Sequence, residues 1–299
     1  MFQEFPASYI NPVFRPPSED RSLILQVTNG CSWNRCTYCD MYTDSQKKFR
    51  PRSEHDILEE IRRCAVTGQN PRRIFLADGD ALVLSMRRLR NILNSIADNF
   101  PDLNRVSSYC LPSDLKNKSD GDLSELRELG LNLIYVGAES GYDPLLKLID
   151  KGETQASTIE SLIRAKAVGI KTSVMILNGL GGRQFSEDHA LASADLVNAA
   201  QPDYLAMLVL TFYRGADRFI QPFNGSYQSM NLPELCAEMK LFFTATDIKQ
   251  TIFRSDHVSN HLVLKGVLSR DKSRILNKVG QAIAYFKEHP EVQRLVTGR

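Results

Sequence analysis

Short apolar runs alternate with longer amphipathic stretches over the first two thirds of the chain. This alternation is typical of β/α units around a parallel sheet, whose strands are apolar because both faces are buried. The predicted strands are Leu23–Val27, Arg73–Ala77, Arg105–Cys110, Leu133–Val136, Thr172–Leu177 and Tyr204–Leu210. The predicted helices between them are Ser53–Val66, Ser85–Asn99, Asp122–Leu129, Thr154–Val168 and Ser186–Asn198. The pattern therefore predicts an α/β fold, a partial (β/α)6 barrel of parallel strands.

Local signals mark the ends of several predicted helices. A side-chain oxygen before the first turn can accept a backbone N–H, and glycine after the last turn can adopt a left-handed conformation. The first signal predicts N-caps at Ser53, Ser85 and Ser186. The second predicts C-terminal caps at Gly68, Gly130 and Gly169.

The chain divides into three predicted regions. Residues 1–21 are rich in proline and aromatic residues and are expected to form an extended arm. Residues 22–215 form the partial barrel, and residues 216–299 form a mostly helical C-terminal extension packed on it. The elements predicted in the extension are helix Leu232–Ile248, a strand near Thr251–Arg254 and helix Asp271–Glu288.

Composition and charge describe an ordinary globular chain. Its 299 residues include 37 Lys and Arg and 35 Asp and Glu, giving a formal net charge of +2. Such a balance creates no strong field, so neither nucleic acid nor an anionic membrane is indicated as a partner. The apolar runs are shorter than the roughly 20 residues of a membrane helix, and the N-terminus lacks the basic and apolar segments of a secretory signal. We expect a cytoplasmic protein without a membrane partner.

The cysteines supply the first chemical signal. Three of them crowd into the loop after the first predicted strand, at the end of a β/α unit where ligands usually bind. Three thiolates in a short loop can bind three irons of a [4Fe–4S] cluster and leave the fourth iron open. Zinc is the alternative, but structural zinc usually takes four ligands in two pairs, and no second pair follows. The candidate metal ligands are Cys31, Cys36 and Cys39, whereas the cysteines predicted to be buried apolar residues are Cys64, Cys110 and Cys236.

With this loop the chain resembles the radical S-adenosylmethionine (SAM) superfamily. The superfamily motif is Cys-x3-Cys-x2-Cys with an aromatic residue before the last cysteine; here Tyr38 takes that place and the spacing is Cys-x4-Cys-x2-Cys. Later strand ends resemble the branch that contains Elongator, methylthiotransferase and coproporphyrinogen-oxidase proteins, and the chain is similar to its small stand-alone members. The segments that carry this likeness are Ala77-Asp78-Gly79-Asp80, Val136-Gly137-Ala138-Glu139-Ser140-Gly141 and Ile176-Leu177-Asn178-Gly179.

The resemblance implies a cofactor site and a reaction. In the family, SAM binds the open iron, a one-electron donor such as a flavodoxin or ferredoxin reduces the cluster, and cleavage of the sulfonium yields a 5′-deoxyadenosyl radical that abstracts a substrate hydrogen. The three cysteines of the loop would then bind the cluster. The residues implied in SAM binding are Tyr38, Asp78, Gly79, Asp80, Glu139, Ser140, Gly179 and Met207.

Substrate residues are predicted from position and polarity. Cys110, at the end of the third strand, is a candidate hydrogen donor, and Arg254 and His257 lie in a polar loop of the extension that could contact a substrate. Two other readings stay open. The x4 spacing is compatible with an iron–sulfur electron-transfer or binding module that does not cleave SAM, and an ordinary SAM methyltransferase would not need the cysteine triplet.

Overall fold

The computed structural model describes residues 6–292 and shows an α/β fold with a mostly parallel central sheet surrounded by helices. Its strands are β1 (Leu23–Gln26), β2 (Thr28–Asn29), β3 (Arg50–Pro51), β4 (Arg73–Ala77), β5 (Arg105–Tyr109), β6 (Leu131–Glu139), β7 (Lys171–Asn178), β8 (Tyr204–Val209), β9 (Ile252–Arg254) and β10 (Lys265–Val267). Its helices are α1 (Glu54–Val66), α2 (Met86–Asn99), α3 (Pro112–Lys116), α4 (Asp120–Glu128), α5 (Asp143–Leu148), α6 (Gln155–Ala167), α7 (Gly182–Ala200), α8 (Asp217–Ile220), α9 (Leu232–Ala245) and α10 (Leu268–Glu288).

The chain folds into two compact units. Among the described residues, the first contains 6–35 together with Cys39–Val136 and Ser161–Thr172. In this unit β1, β4, β5 and β6 pair in parallel in that order. The ring of Phe75 on β4 packs edge-on against those of Tyr109 and Tyr135 in its core. Because the strands are parallel, the loops that follow β1 and β4 leave the same edge of the sheet.

The second unit contains Cys36–Tyr38, Gly137–Glu160 and, of the described residues, 173–292. Here β7, β8 and β9 pair in parallel, and β10 pairs antiparallel with β9. Helix α9 packs against α7 and α10. A buried apolar cluster of this unit consists of Leu145, Leu146, Ile149, Leu177, Leu180, Phe219 and Phe223.

The predicted α/β class is confirmed, and each predicted strand coincides with an observed one to within a few residues. Short helices α3, α5 and α8 were not predicted, because a single helical turn or two carries little periodicity. The three-part division at residues 21 and 215 stays a prediction. Within residues 6–292, no helix combines the length and the apolar character that crossing a bilayer requires.

The predicted caps had mixed outcomes. Ser53 accepts a hydrogen bond from the Asp56 amide and caps α1, as predicted, whereas Ser85 occupies the N-cap of α2 without a side-chain bond. The prediction at Ser186 was wrong: α7 begins at Gly182, because a tight turn after β7 bonds the Gly182 amide to the Gly179 carbonyl. The three predicted glycine caps are confirmed, with φ of +78°, +100° and +84° at Gly68, Gly130 and Gly169.

Candidate functional site

The cysteine loop follows β2. Cys31, Cys36 and Cys39 have intermediate exposure, whereas the remaining three cysteines are buried, as predicted. The Asn29 side chain closes the base of the loop by donating to the carbonyls of Gln46 at 2.7 Å and of Lys48 at 2.9 Å. These hydrogen bonds fix the start of the loop, whose three cysteines keep intermediate exposure.

A fully buried ion pair also supports the base of this loop. Asp78, which follows β4, accepts hydrogen bonds through Oδ2 from Lys47 Nζ, from Gln26 Nε2 at 3.1 Å and from the Gly30 amide at 3.2 Å. Lys47 Nζ also donates to the Ile10 carbonyl at 2.8 Å. Burial raises the pKa of Asp78, and the hydrogen bond from Lys47 opposes that rise. Asp78 thus anchors the residue immediately before Cys31.

Gly79 lets the end of β4 approach the cysteine loop. Its amide donates to the Gly30 carbonyl at 3.0 Å. A Cβ atom at this position would lie 2.8 Å from Cβ of Cys31 and 2.7 Å from the ring of Tyr42, closer than real Cβ contacts. Any larger residue would therefore displace Cys31.

Asp80 carries an open acceptor beside that glycine. Its Oδ2 accepts from the Ser32 hydroxyl and from the Ser32 amide at 3.3 Å, and the Val83 backbone also interacts with the carboxyl group. Among residues 6–292, the buried Oδ1 has no hydrogen-bond partner of normal geometry. Burial raises the pKa of Asp80 to about 6, and the Ser32 hydrogen bonds oppose the rise. A buried carboxyl with one unused oxygen suits a cationic or N–H-bearing ligand.

A second carboxylate–lysine pair lies in the second unit. Glu139, the last residue of β6, accepts from Lys151 Nζ at 3.3 Å, and Lys151 also donates to the Tyr38 hydroxyl at 3.4 Å. Burial raises the pKa of Cys36, while the Lys151 charge lowers it and Glu139 raises it. Lys151 was assigned no role by the sequence analysis, although it follows the Gly-x-Glu-Ser-Gly segment closely along the chain.

The backbone around Cys36 is held from helix α8. The Arg218 guanidinium donates to the Cys36 carbonyl and, at 3.2 Å, to the Thr37 carbonyl. The Thr37 amide in turn donates to the Ile149 carbonyl at 2.9 Å. Sequence reasoning missed Arg218, because an isolated exposed arginine far along the chain carries no motif.

The remaining predicted cofactor residues also lie in the second unit. The Ser140 hydroxyl bonds Nδ1 of the buried His189 at 2.8 Å. The Gly179 amide donates to the Glu238 carboxyl at 2.6 Å. The carbonyl of Met207 accepts from the Asn260 side chain at 2.8 Å.

The predicted substrate residues are distributed over both units. Cys110 is buried in the first unit, and its thiol donates to the Leu111 carbonyl at 3.2 Å. Arg254 is exposed in the second unit, where it lies 3.7 Å from Asp256. His257 Nδ1 bonds the Ser259 hydroxyl at 2.8 Å, and burial lowers the pKa of His257. None of these three residues acquires a catalytic role from the contacts described.

The donor set fits an iron–sulfur cluster with SAM. Among residues 6–292, no three His, Cys, Asp or Glu side chains converge closely enough to hold a single metal ion. In a [4Fe–4S] cluster each cysteine binds a different iron, so its ligands need not meet at one point. Within the first unit, Cys31 and Cys39 with their intermediate exposure, Asp80 Oδ1 and the close approach at Gly79 suit a cluster and a cationic ligand.

Comparison with known proteins identifies the family. The profile of the radical SAM superfamily matches residues 25–197. A Methanocaldococcus jannaschii protein provisionally named a methylthiotransferase is 21% identical over 236 residues, covering 74% of this chain and 51% of that protein. The heme chaperone HemW of Bacillus subtilis is 27% identical over 183 residues, covering 58% of this chain and 47% of that protein. This chain therefore spans about half of the length of these relatives.

Solved structures share the fold. Coproporphyrinogen III oxidase HemN from Escherichia coli, described as a radical SAM enzyme, gives a TM-score of 0.55 at 15% identity and covers 75% of this chain and 52% of its own. Methylornithine synthase PylB gives 0.53 at 16% identity, covering 87% of this chain and 69% of its own. These likenesses confirm the predicted partial barrel of parallel strands. By the superfamily match over more than half of its length, the chain belongs to the radical SAM superfamily.

Proposed function

We propose that this chain is an enzyme that binds a [4Fe–4S] cluster and SAM, cleaves SAM reductively and abstracts a hydrogen atom from a substrate. The observation that carries the proposal is the construction around the cysteine loop: three partly exposed thiols, a buried anchor at Asp78, and the open Asp80 oxygen beyond Gly79. An unsatisfied buried carboxylate oxygen costs free energy, and a cationic or N–H-bearing ligand at Asp80 Oδ1 would remove that cost.

The residues of the chain would divide the work of binding. Cys31, Cys36 and Cys39 would bind the cluster, and Asp80 Oδ1 would accept a hydrogen bond from the SAM ammonium group. The Glu139–Lys151 pair, with 8% and 5% of its side chains exposed, carries both signs of charge and can bind polar groups of SAM. When bound, the cluster and SAM supply one-electron cleavage of the sulfonium and a radical that removes hydrogen from carbon. The electron would come from a donor of the flavodoxin or ferredoxin class.

Product formation from SAM tests this proposal. The protein is reconstituted anaerobically with iron and sulfide and then mixed with SAM and dithionite. We expect release of 5′-deoxyadenosine and methionine, and loss of the brown cluster chromophore in Cys36→Ala. Cys64→Ala is the matched control, because Cys64 lies buried on α1, outside the loop.

Two results would contradict the proposal. A stoichiometric zinc ion in oxygen-free protein would exclude the cluster. A cluster-loaded protein that releases no 5′-deoxyadenosine would favour the electron-transfer or binding module instead. If the protein does release 5′-deoxyadenosine, deuterium transfer from pools of labelled candidate metabolites into this product would identify the substrate class.

A further inference from the structure

A buried histidine connects the ends of β6 and β7 in the second unit. His189 on α7 is 1% exposed, and its Nδ1 lies 2.8 Å from the Ser140 hydroxyl, directly after β6. The Leu177 carbonyl, near the end of β7, accepts a hydrogen bond from the same ring. Burial lowers the pKa of His189 to about 4, so the ring is neutral at physiological pH and can donate at one nitrogen while accepting at the other.

A buried glutamate holds the residue that follows β7. Glu238 on α9 is 4% exposed, and its Oε1 accepts from the Gly179 amide at 2.6 Å. The same oxygen lies 3.7 Å from His189 Nε2, beyond hydrogen-bond distance, and the Ser186 side chain also hydrogen-bonds the Glu238 carboxyl group. A charged or polar group buried in this way is expensive, so its retention calls for a compensating role.

Helix α9 makes further contacts with the same turn. The Asn178 side chain donates to the Leu235 carbonyl at 3.2 Å. Gly179 has a φ of +82°, and a Cβ there would lie 2.6 Å from Leu235 Cδ2. The Tyr227 hydroxyl donates to the Gly179 carbonyl at 3.3 Å. Both backbone polar groups of Gly179 are therefore held by side chains that come from beyond the superfamily match, which ends at residue 197.

From these contacts we infer that His189 and Glu238 are positioning residues: they hold the loops after β6 and β7 in the geometry that binds SAM, so that α9 completes the cofactor site. The inference rests on the proposed function, because Ser140 and Gly179 are the residues proposed to contact SAM. His189 fixes Ser140 against β7, and Glu238 fixes Gly179 against α9. Neither side chain needs to touch SAM to set its affinity.

Substitutions at Glu238 test the inference in two measurements. The first is SAM affinity of the cluster-loaded protein by equilibrium dialysis. The second is hydrogen exchange of the segment 176–182 in the cluster-free protein, which reports the loop itself without any cofactor. Cys236→Ala is the matched control, because Cys236 is buried on the same helix with no part in these contacts.

We expect Glu238→Ala to weaken SAM binding about tenfold and to accelerate exchange in 176–182. Glu238→Gln keeps an oxygen for the Gly179 amide and should stay within about threefold of the wild type. Cys236→Ala should change SAM affinity by less than twofold even if it lowers thermal stability. If Glu238→Ala does not fold, Glu238→Asp decides, because it keeps the charge but withdraws the oxygen from Gly179.

The inference is overturned if Glu238→Ala binds SAM within twofold of the wild type, or if Glu238→Asp does so where the alanine variant does not fold. It is also overturned if Cys236→Ala weakens SAM binding equally. Unchanged exchange in 176–182 would also overturn it. Wild-type protein that binds no SAM would instead refute the proposed function, and the exchange measurement would still decide whether Glu238 holds the loop.

Discussion

Two buried carboxylate–lysine pairs stand at strand ends, one in each unit, and they differ in how completely they are enclosed. Asp78 and Lys47 both have fully buried side chains, and Asp78 Oδ2 also receives an amide and a side-chain N–H. Glu139 and Lys151 are bound at 3.3 Å with 8% and 5% of their side chains exposed. Both pairs join a carboxylate at the end of a parallel strand to a lysine, but the Asp78–Lys47 pair is fully buried and the Glu139–Lys151 pair is slightly exposed.

The difference separates support from binding. Asp78 Oδ2 accepts three donors, one of them the Gly30 amide directly before Cys31, so this oxygen supports the cysteine loop, although the buried Oδ1 has no partner among the described residues. Lys151 is shared between Glu139 and the Tyr38 hydroxyl at hydrogen-bond lengths of 3.3 and 3.4 Å, and such long bonds can be exchanged for bonds to a ligand. Four predictions test this distinction, beginning with the largest effect.

Removing the cation of the enclosed pair should damage stability most. We expect Lys47→Met to lower the free energy of unfolding by about 3–5 kcal/mol, because Asp78 would stay buried without its partner. Urea denaturation of the cluster-free protein measures the change. The neighbouring exposed Lys48 supplies the control Lys48→Met, expected within about 0.5 kcal/mol of the wild type. Equal stability of the two variants would contradict the role given to Lys47.

A third buried carboxyl, Glu238, has no lysine partner among its described contacts. Its burial should instead make the free energy of unfolding depend on pH. Burial raises its pKa from the ordinary 4.5 to about 7, partly offset by hydrogen bonds from the Gly179 amide and Ser186. A raised folded-state pKa means that the stability contribution is complete below pH 4.5 and is lost as pH rises through about 7. The loss is on the order of 3 kcal/mol.

Glu238→Gln removes this titration. As pH rises from about 4.5 to 7.5, the free energy of unfolding of the variant should therefore increase relative to that of the wild type by about 3 kcal/mol. Denaturation of both cluster-free proteins over this range measures the difference. His189 titrates in the opposite sense, since its pKa is lowered from 6.5 to about 4 by burial, but it is present in both proteins and cancels. A pH-independent difference between the two would show that Glu238 does not ionise as inferred.

Loss of the more open pair should affect binding before stability. We expect Lys151→Met to weaken SAM binding by roughly ten- to a hundredfold, the value of a hydrogen bond to a charged group. Equilibrium dialysis of the cluster-loaded protein gives the affinity, and Lys151→Arg should restore most of it. If Lys151→Met instead lowers the free energy of unfolding as much as Lys47→Met and leaves SAM affinity unchanged, both pairs support the fold and neither binds SAM.

The smallest effect is expected at the exposed Arg218, which donates to the carbonyls of Cys36 and Thr37. Solvent competes with such bonds, so Arg218→Ala should hasten cluster loss to a chelator only a few-fold. Decay of the cluster absorbance provides the rate. Arg214→Ala, at a nearby exposed arginine, is the control, and identical rates for the two variants would remove Arg218 from the cluster site.

Sequence reasoning succeeded wherever the signal was local. The strands were predictable because parallel strands are buried on both faces, and the cysteine loop because three thiols crowd into one short segment. It failed at Ser186, where the tight turn after β7 starts α7 four residues earlier, at Gly182. It also missed Lys151, Arg218, His189 and Glu238 as parts of the site, since their partners are distant in the chain.

The residue pattern was sufficient for the fold class, the superfamily resemblance and the residues that could bind a cluster and SAM. The folded arrangement was needed to show which of those residues support the loops and which can contact a ligand. Lys47 meets Asp78 across 31 positions and Glu238 meets Gly179 across 59, and nothing local distinguishes an enclosed carboxylate from an open one. The physical reason is that burial and hydrogen-bond saturation, which set whether a polar group supports the fold or binds a ligand, are properties of the surroundings and not of the residue.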